Sequence, residues 1–446
     1  MTQVLILLTI LTVTTGEFLV DSLGLPKLVK FVPELLTVIV AFAVVVIGAR
    51  TRLSDIPSKY LIAFGFVTFT ILSGILINQV GSGPTIAGMR YYLRAIPFFF
   101  LPAVISFNES QIRLQLKVLC AIALAQIPLA TYQRWIVMSE GRWTGDEVVG
   151  TLQISSILSI FLICCVLIVV GFALRGRMRW GKAVGLSSIL LFPTMINETK
   201  GTLLILPIGL MVVILLGVPT GRRLRSLLGS MALFFCFVAI FVPVYDFTMK
   251  NAGWDQSLTD FLTDSRVFTD YIEKDGAGLG TADEVGRLDA IRLSYSFLSR
   301  DPVGLIFGLG LGNASHSALG RNFIGEYQNV FHQITMMSAT TFLLEIGILG
   351  TALVFLLYLL LFSDAKRVAV EGEGLCADLA CGWTGVITVF MIATFYKNIH
   401  TFESLSYLFW YFSGLLVFRR AQESRFAASD RATDSTQPRT TVTGAA

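Results

Sequence analysis

The chain has 446 residues, 54% apolar and only 14% charged, against about 25% charged in a typical soluble domain, and this excludes an ordinary soluble enzyme. A net charge of +4, evenly spread, excludes a nucleic-acid partner. With mean hydropathy at +0.73, the composition is that of an all-α polytopic integral membrane protein surrounded by membrane lipids.

A hydrocarbon core of about 30 Å takes about 20 helical residues to cross. That ruler predicts about twelve transmembrane helices, at 4 to 20, 29 to 49, 60 to 79, 92 to 107, 115 to 136, 151 to 174, 183 to 196, 201 to 217, 228 to 248, 336 to 362, 383 to 396 and 404 to 418. Met1-Thr2-Gln3 lacks the basic start of a cleaved signal, so the first apolar run reads as a retained span. The organisation is therefore nine spans over residues 1–248, a large extracytoplasmic loop over 249–333, three spans over 334–419, and a tail over 420–446. The tail is rich in Ser, Thr, Ala and Arg, has no apolar period, and reads as a disordered cytoplasmic end.

Orientation follows from the basic residues. Nineteen of the 34 Lys and Arg fall in the connections on the side of the N-terminus and in the tail, against eight in the short connections on the other side. Both termini are predicted cytoplasmic, and the long loop external. His316, His332 and His400, the only histidines, then all map to the outer face. None of the six cysteines falls in the long loop, so no disulfide framework is indicated. Cys376 and Cys381 form a lone pair at a membrane entry, read as incidental rather than as a zinc site.

Within the loop, Thr281-Ala-Asp-Glu284 has the pattern of a capping box. Val285, Leu288, Ile291, Tyr295 and Leu298 follow at helical spacing, with Arg287, Asp289, Arg292 and Ser296 between them, which predicts an amphipathic helix resting on an apolar surface. It stops at Asp301-Pro302. A turn carrying Gly304, Gly308, Gly310 and Gly312 comes next, and the chain re-enters the bilayer at Phe331-His332-Gln333.

The glycine-rich turn lacks the Gly-Lys-Ser/Thr of a nucleotide P-loop, and no Asp-x-Asp pair or Gly-x-Ser-x-Gly elbow is present. What remains is a set of cations at outer membrane boundaries: Arg90, Arg94, Lys200, Arg287 and Arg292. Cations at this depth suit an anionic group anchored by a lipid. Guanidinium groups match phosphate oxygens with a planar fork, and Lys200 acts as a point charge; the alternative is that they snorkel to headgroups. Glu345 lies inside the tenth span, where an ionisable side chain is functional or paired, and an arginine of the site is its expected partner. Glu198 reads as the partner of Lys200, and His316 and His400 as bland.

The order of many spans, the Thr199-Lys200-Gly201 turn, a late external loop opening with Gly286-Arg287, the Gly308 to Gly312 turn, His332-Gln333, and Glu345-x-Gly347-x-x-Gly350 together resemble the O-antigen ligase and polymerase superfamily. The resemblance implies a GT-C-like membrane glycosyltransferase in the bacterial inner membrane. Such an enzyme transfers glycan from an undecaprenyl diphosphate donor to a sugar hydroxyl on the outer face, without a metal or cofactor. It implies catalytic roles for His332 and Arg287, with Lys200, Arg90, Arg94 and Arg292 as candidates to hold the diphosphate and Glu345 as support. A chain-length regulator and a flippase would be further partners. Lys200 stands where the family pattern has Arg, and the stretch from Gln333 to Gly347 is about one helical turn longer than in ligases, which favours a polymerase-like relative. The alternatives are a ligase that moves a finished glycan to a lipid or protein acceptor and, from another class, a twelve-helix secondary transporter. The latter predicts two similar halves and a long central cytoplasmic connection, neither of which the sequence shows.

Overall fold

The structure, a computed structural model, describes residues 2–50, 56–137, 145–217, 223–251, 258–264, 285–317, 319–331, 334 and 337–419. Among them every regular element is helical. The first half contains α1 (Thr2–Asp21), α2 (Val32–Arg50), α3 (Ser58–Ile77), α4 (Ser82–Leu93), α5 (Ile96–Val104), α6 (Glu109–Tyr132), α7 (Ser155–Leu174), α8 (Trp180–Ile196), α9 (Gly201–Gly217), α10 (Arg223–Asn251) and the short α11 (Leu258–Thr263). Further along the chain come α12 (Arg287–Leu298), α13 (Pro302–Phe307), a single turn α14 (Gln328–Phe331), α15 (Ser338–Glu371), α16 (Gly374–Ala393) and α17 (Glu403–Val417). Among the described residues seven helices are long and apolar enough to cross a membrane, and three shorter apolar ones accompany them, which fits a polytopic membrane protein.

Burial sorts these helices into layers. α7 and α16 are apolar all round, with 89% and 83% of their spans buried, so they form the centre of the bundle. They touch closely because both are glycine where they cross: a Cβ at Gly382 would lie 2.6 Å from the Ile168 α-carbon. By contrast α2 and α3 are largely uncovered and turn Val38, Phe42, Val45 and Leu76 outward, as helices facing hydrocarbon do. Local signals are obeyed where they are strong. Asn108 accepts from the Gln111 amide at 2.9 Å while Gln111 accepts from the Asn108 amide at 2.9 Å, a complete capping box at the start of α6.

Three sequence expectations change. The fourth span, expected at 92 to 107, is the 9-residue α5, set off from α4 at Arg94-Ala95 because Pro97 in its first turn has no N–H to continue the α4 ladder. The tenth helix continues past 362 to Glu371, no glycine or proline intervening before Gly372, and its backbone breaks at Gly347 (φ 68°). The amphipathic helix starts at Arg287, with Gly286 as its N-cap, and Val285 precedes it; Thr281–Glu284, the expected cap, lies outside the described residues. Its buried face is Ala290, Ser294 and Leu298, and Tyr295 is exposed. Small Ala290 and Ser294 let α12 lie close to α15, and the Ser294 hydroxyl is satisfied inside its own helix by the Ala290 carbonyl at 2.7 Å.

The glycine-rich turn serves packing. At the Gly347 break the carbonyls of Leu344 and Glu345 leave the helix ladder and accept from Leu309 N (2.6 Å) and Gly310 N (3.1 Å) instead. Gly312, at φ 75°, would collide with the Pro84 carbonyl if it bore a side chain. Gly74 on α3 and Gly88 on α4 leave room from the other side, a Cβ there falling 2.7 Å from the Phe307 oxygen and 2.6 Å from the Gly312 nitrogen. The loop is thereby seated against the bundle, and α12 with it.

Candidate functional site

Arg287 opens α12, and its guanidinium lies over the Tyr396 ring, 4.9 Å from the centroid, with Nε donating to the Tyr396 carbonyl at 3.4 Å. Gly201 meets the same ring: a Cβ there would sit 2.5 Å from the Tyr396 ζ-carbon. Glycine after Lys200 is thus a space requirement of the ring. Arg287 and, through Gly201, the turn that carries Lys200 are in this way brought to a single aromatic side chain from chain segments far apart.

The Lys200 turn is built from buried polar contacts. Beyond the end of α8, the Asn197 amide donates to the Ser155 carbonyl (2.9 Å) and Ser159 Oγ (2.8 Å), and its oxygen accepts from Thr199 N (3.2 Å). Glu198 adopts a left-handed φ of 59°, uncommon for a residue with a side chain. Its carboxylate accepts from Arg134 Nη2 (2.6 Å) and Gly145 N (2.9 Å), and Arg134 also donates to the Thr248 carbonyl (3.2 Å). Both charges are nearly out of solvent, the side chains being 7% and 8% exposed. Burial pushes the Glu198 carboxyl above its ordinary range, and Arg134 and the Gly145 amide pull against that. The expected Glu198–Lys200 pair is replaced by Glu198–Arg134, because the left-handed turn is closed on the Arg134 side.

The remaining sequence-selected residues take different places. Arg90 pairs with Glu34 (2.6 Å), and Arg94 with Glu403 (2.6 Å) and Glu34 (3.6 Å), so two guanidinium groups are matched by two carboxylates. Arg94 also donates to the Thr401 carbonyl. Arg292 is exposed and pairs with Asp289 on its own helix at 3.0 Å. His332 lies outside the described residues; Phe331 before it is buried against Phe297 of α12 at 4.8 Å between centroids. Among the described residues Glu345 meets no arginine. Its carboxylate accepts from Ser315 N (2.8 Å) and Ala314 N (3.3 Å) in the glycine-rich turn, with Tyr92 facing it, because the turn directs its amides at the break in α15. His316 is exposed. His400 is packed between Phe342 and Tyr92, with Nδ1 3.0 Å from Ser338 Oγ, and burial, helped by Arg94, holds its pKa down to about 3.

Sequence reasoning passed over the element on which these contacts converge, the connection 394–402 between α16 and α17. Tyr396 receives Arg287, the Lys397 carbonyl accepts from Ser338 N (3.2 Å), His400 bonds Ser338, and Thr401 receives Arg94. Its signal is the polar run Tyr396-Lys397-Asn398 between two apolar stretches, at the face where the other cations lie. Arg134 was also passed over, being one arginine at the end of a long apolar run.

No protein-family model and no curated protein matches this chain. The site therefore stands on its own geometry: a guanidinium and an ammonium-bearing turn at one ring, set at the end of a helical bundle. Among the described residues no group of three or more His, Cys, Asp or Glu could hold a metal ion.

Proposed function

We propose that the chain is an integral-membrane glycosyltransferase of the GT-C type, with twelve spans and both termini cytoplasmic, that polymerises undecaprenyl-diphosphate-linked repeat units on the outer face of a bacterial inner membrane. The observation that carries this reading is the meeting of Arg287 and the Lys200-Gly201 turn at Tyr396. An anionic, lipid-anchored donor requires cations at a membrane boundary, held by elements that do not yield when it binds. A helix occurs at each of the twelve stretches read as spans, and the basic-residue asymmetry supports the orientation.

The chemistry is a substitution at the anomeric carbon. A sugar hydroxyl forms the new C1–O bond, the C1–O bond to diphosphate breaks, the hydroxyl proton passes to neutral His332, and the diphosphate leaves with the bonding electrons. The leaving group is already good, so the protein's task is to balance its growing charge and orient the acceptor. Arg287 supplies a planar fork, steadied by its stack on Tyr396, and Lys200 a second positive charge. Arg90 and Arg94 are already balanced by Glu34 and Glu403, and Arg94 holds the 394–402 connection at Thr401 rather than the donor. Glu345 seats the glycine-rich turn, and exposed Arg292 is left to the rim.

The test is the lipid-linked glycan pool of a strain lacking this protein, extracted and sized by mass spectrometry. Accumulated single repeat units with loss of long polymer support a polymerase. Long lipid-linked polymer that never reaches its acceptor means a ligase, and an unchanged pool means that the donor is wrong. In the complemented strain, Arg287→Ala is expected to abolish polymer with protein levels intact. Arg287→Lys at full activity would refute the fork.

A further inference from the structure

A cavity of about 330 Å³ opens between α6, α7 and α8 at the end of α8 away from the Lys200 turn, so it belongs to the other face of the bundle. Its walls are apolar, with Leu119, Ile168, Phe172 and Leu190 among them, and three cations, Arg113, Lys117 and Arg177, stand at its mouth. From Trp180, exposed at the start of α8, to Leu190 the helix rises about 15 Å. That is about half a hydrocarbon core of about 30 Å, the depth of one leaflet. At about 30 Å³ for each water-sized group the cavity holds roughly ten such groups of a chain.

The mouth carries more positive than negative charge. Arg175 and Arg177 share Asp378, while Glu109 lies 4.0 Å from Arg113 and 3.8 Å from Arg177, leaving two carboxylates against four cations once Lys117 is included. An exposed tryptophan beside such a mouth is the usual marker of the membrane interface. We propose that this cavity is a binding site for one anionic phospholipid, with an acyl chain between α6, α7 and α8 and the phosphate at Arg113 and Lys117. The site is independent of the glycosyltransferase reading and needs no assumption about which face is cytoplasmic. The lipid joins α6 to α8, the two helices whose far ends lead into Arg134 and Glu198.

The experiment uses the delipidated full chain in detergent, titrated with dioleoyl phosphatidylglycerol or dioleoyl phosphatidylcholine and read by native mass spectrometry and by the thermal midpoint. Phosphatidylglycerol is expected to be retained and to raise the midpoint, and phosphatidylcholine to do neither. Lys117→Gln and Arg113→Gln, on exposed side chains, are each expected to weaken retention about fivefold. Leu116→Trp, which fills the cavity from its wall without changing charge, is expected to abolish retention. Equal retention of phosphatidylcholine, equal stabilisation by glycerol phosphate without chains, or retention unchanged in Leu116→Trp would each overturn the proposal. If Leu116→Trp does not fold, the two charge variants decide alone, and undiminished retention in both overturns it.

Discussion

The buried Arg134–Glu198 pair fixes the turn that presents Lys200, and its removal has a calculable signature. Glu198→Ala deletes the acceptor of a 2.6 Å ion pair whose guanidinium is 7% exposed and leaves Arg134 donating to the Thr248 carbonyl. Breaking a buried pair from one side costs about 3–5 kcal/mol, chiefly because the remaining charge stays desolvated. Loss of the Gly145 amide bond adds about 1 kcal/mol. Removing both charges, in Arg134→Met with Glu198→Gln, eliminates the stranded charge, and the double variant is expected to be more stable than Glu198→Ala by about 2 kcal/mol or more. The assay is the thermal midpoint of the purified chain in detergent for wild type, Glu198→Ala, and the cycle of Arg134→Met, Glu198→Gln and the double variant. If the double variant loses the sum of the two single losses, the pair contributes no coupling and its role as the anchor of the Lys200 turn is refuted. Glycan output separates the two roles further: the double variant recovers stability but not full activity, because Glu198 no longer holds the turn.

Gly201→Ala places a methyl 2.5 Å from the Tyr396 ring, so the ring must shift and Arg287 loses its stack; polymer is expected to fall at unchanged protein level, with Tyr396→Ala in the same chain restoring the space but not the stack. Gly347→Ala forces a side chain onto a φ of 68°, costing about 1–2 kcal/mol for the backbone alone, and its Cβ would strike the Ile306 carbonyl; protease sensitivity in the 308–315 turn is the readout, and an unchanged cleavage pattern would refute the docking of that turn. His400 has its folded pKa depressed to about 3 from an ordinary 6.5. Below pH 6.5 the unfolded chain therefore takes up a proton that the folded chain refuses until about pH 3, so stability falls as pH drops through that window, by at most about 1.4 kcal/mol per unit. His400→Gln is expected to flatten this slope, and an identical slope in the variant would assign the pH dependence elsewhere.

Much of the architecture was legible because a membrane leaves few choices. Backbone groups in hydrocarbon must bond within their own helix, so a long apolar run such as 155–174 has one outcome, whereas the span expected at 383 to 396 belongs to a helix over Gly374–Ala393 whose start carries Asp378. Arg287 and Lys200 were selected from chemical type and depth alone. The amphipathic helix was found, and Leu298 and Ile291 face inward as expected, but Tyr295 is exposed and the small Ala290 and Ser294 are inward residues the pattern passed over. The helix break at Gly347 escaped because it depends on partners distant in sequence, the Leu309-Gly310 amides, whereas the one at Arg94-Ala95 is local, next to Pro97 in the first turn of α5.

The sequence alone therefore determined the helical class, the succession of apolar helices, the long polar loop and the cations at helix ends, since these follow from local composition and period. Which cation meets which carboxylate was decided only in three dimensions. Glu198 has Lys200 two residues away and still pairs with Arg134, 64 positions distant, because a left-handed turn and burial select a partner by direction. Likewise only the tertiary structure made the connection 394–402 a common support, where Arg287, Arg94 and Ser338 arrive from three separate segments. Long-range ion pairs and close glycine contacts depend on how helices cross, and no local pattern of residues encodes that.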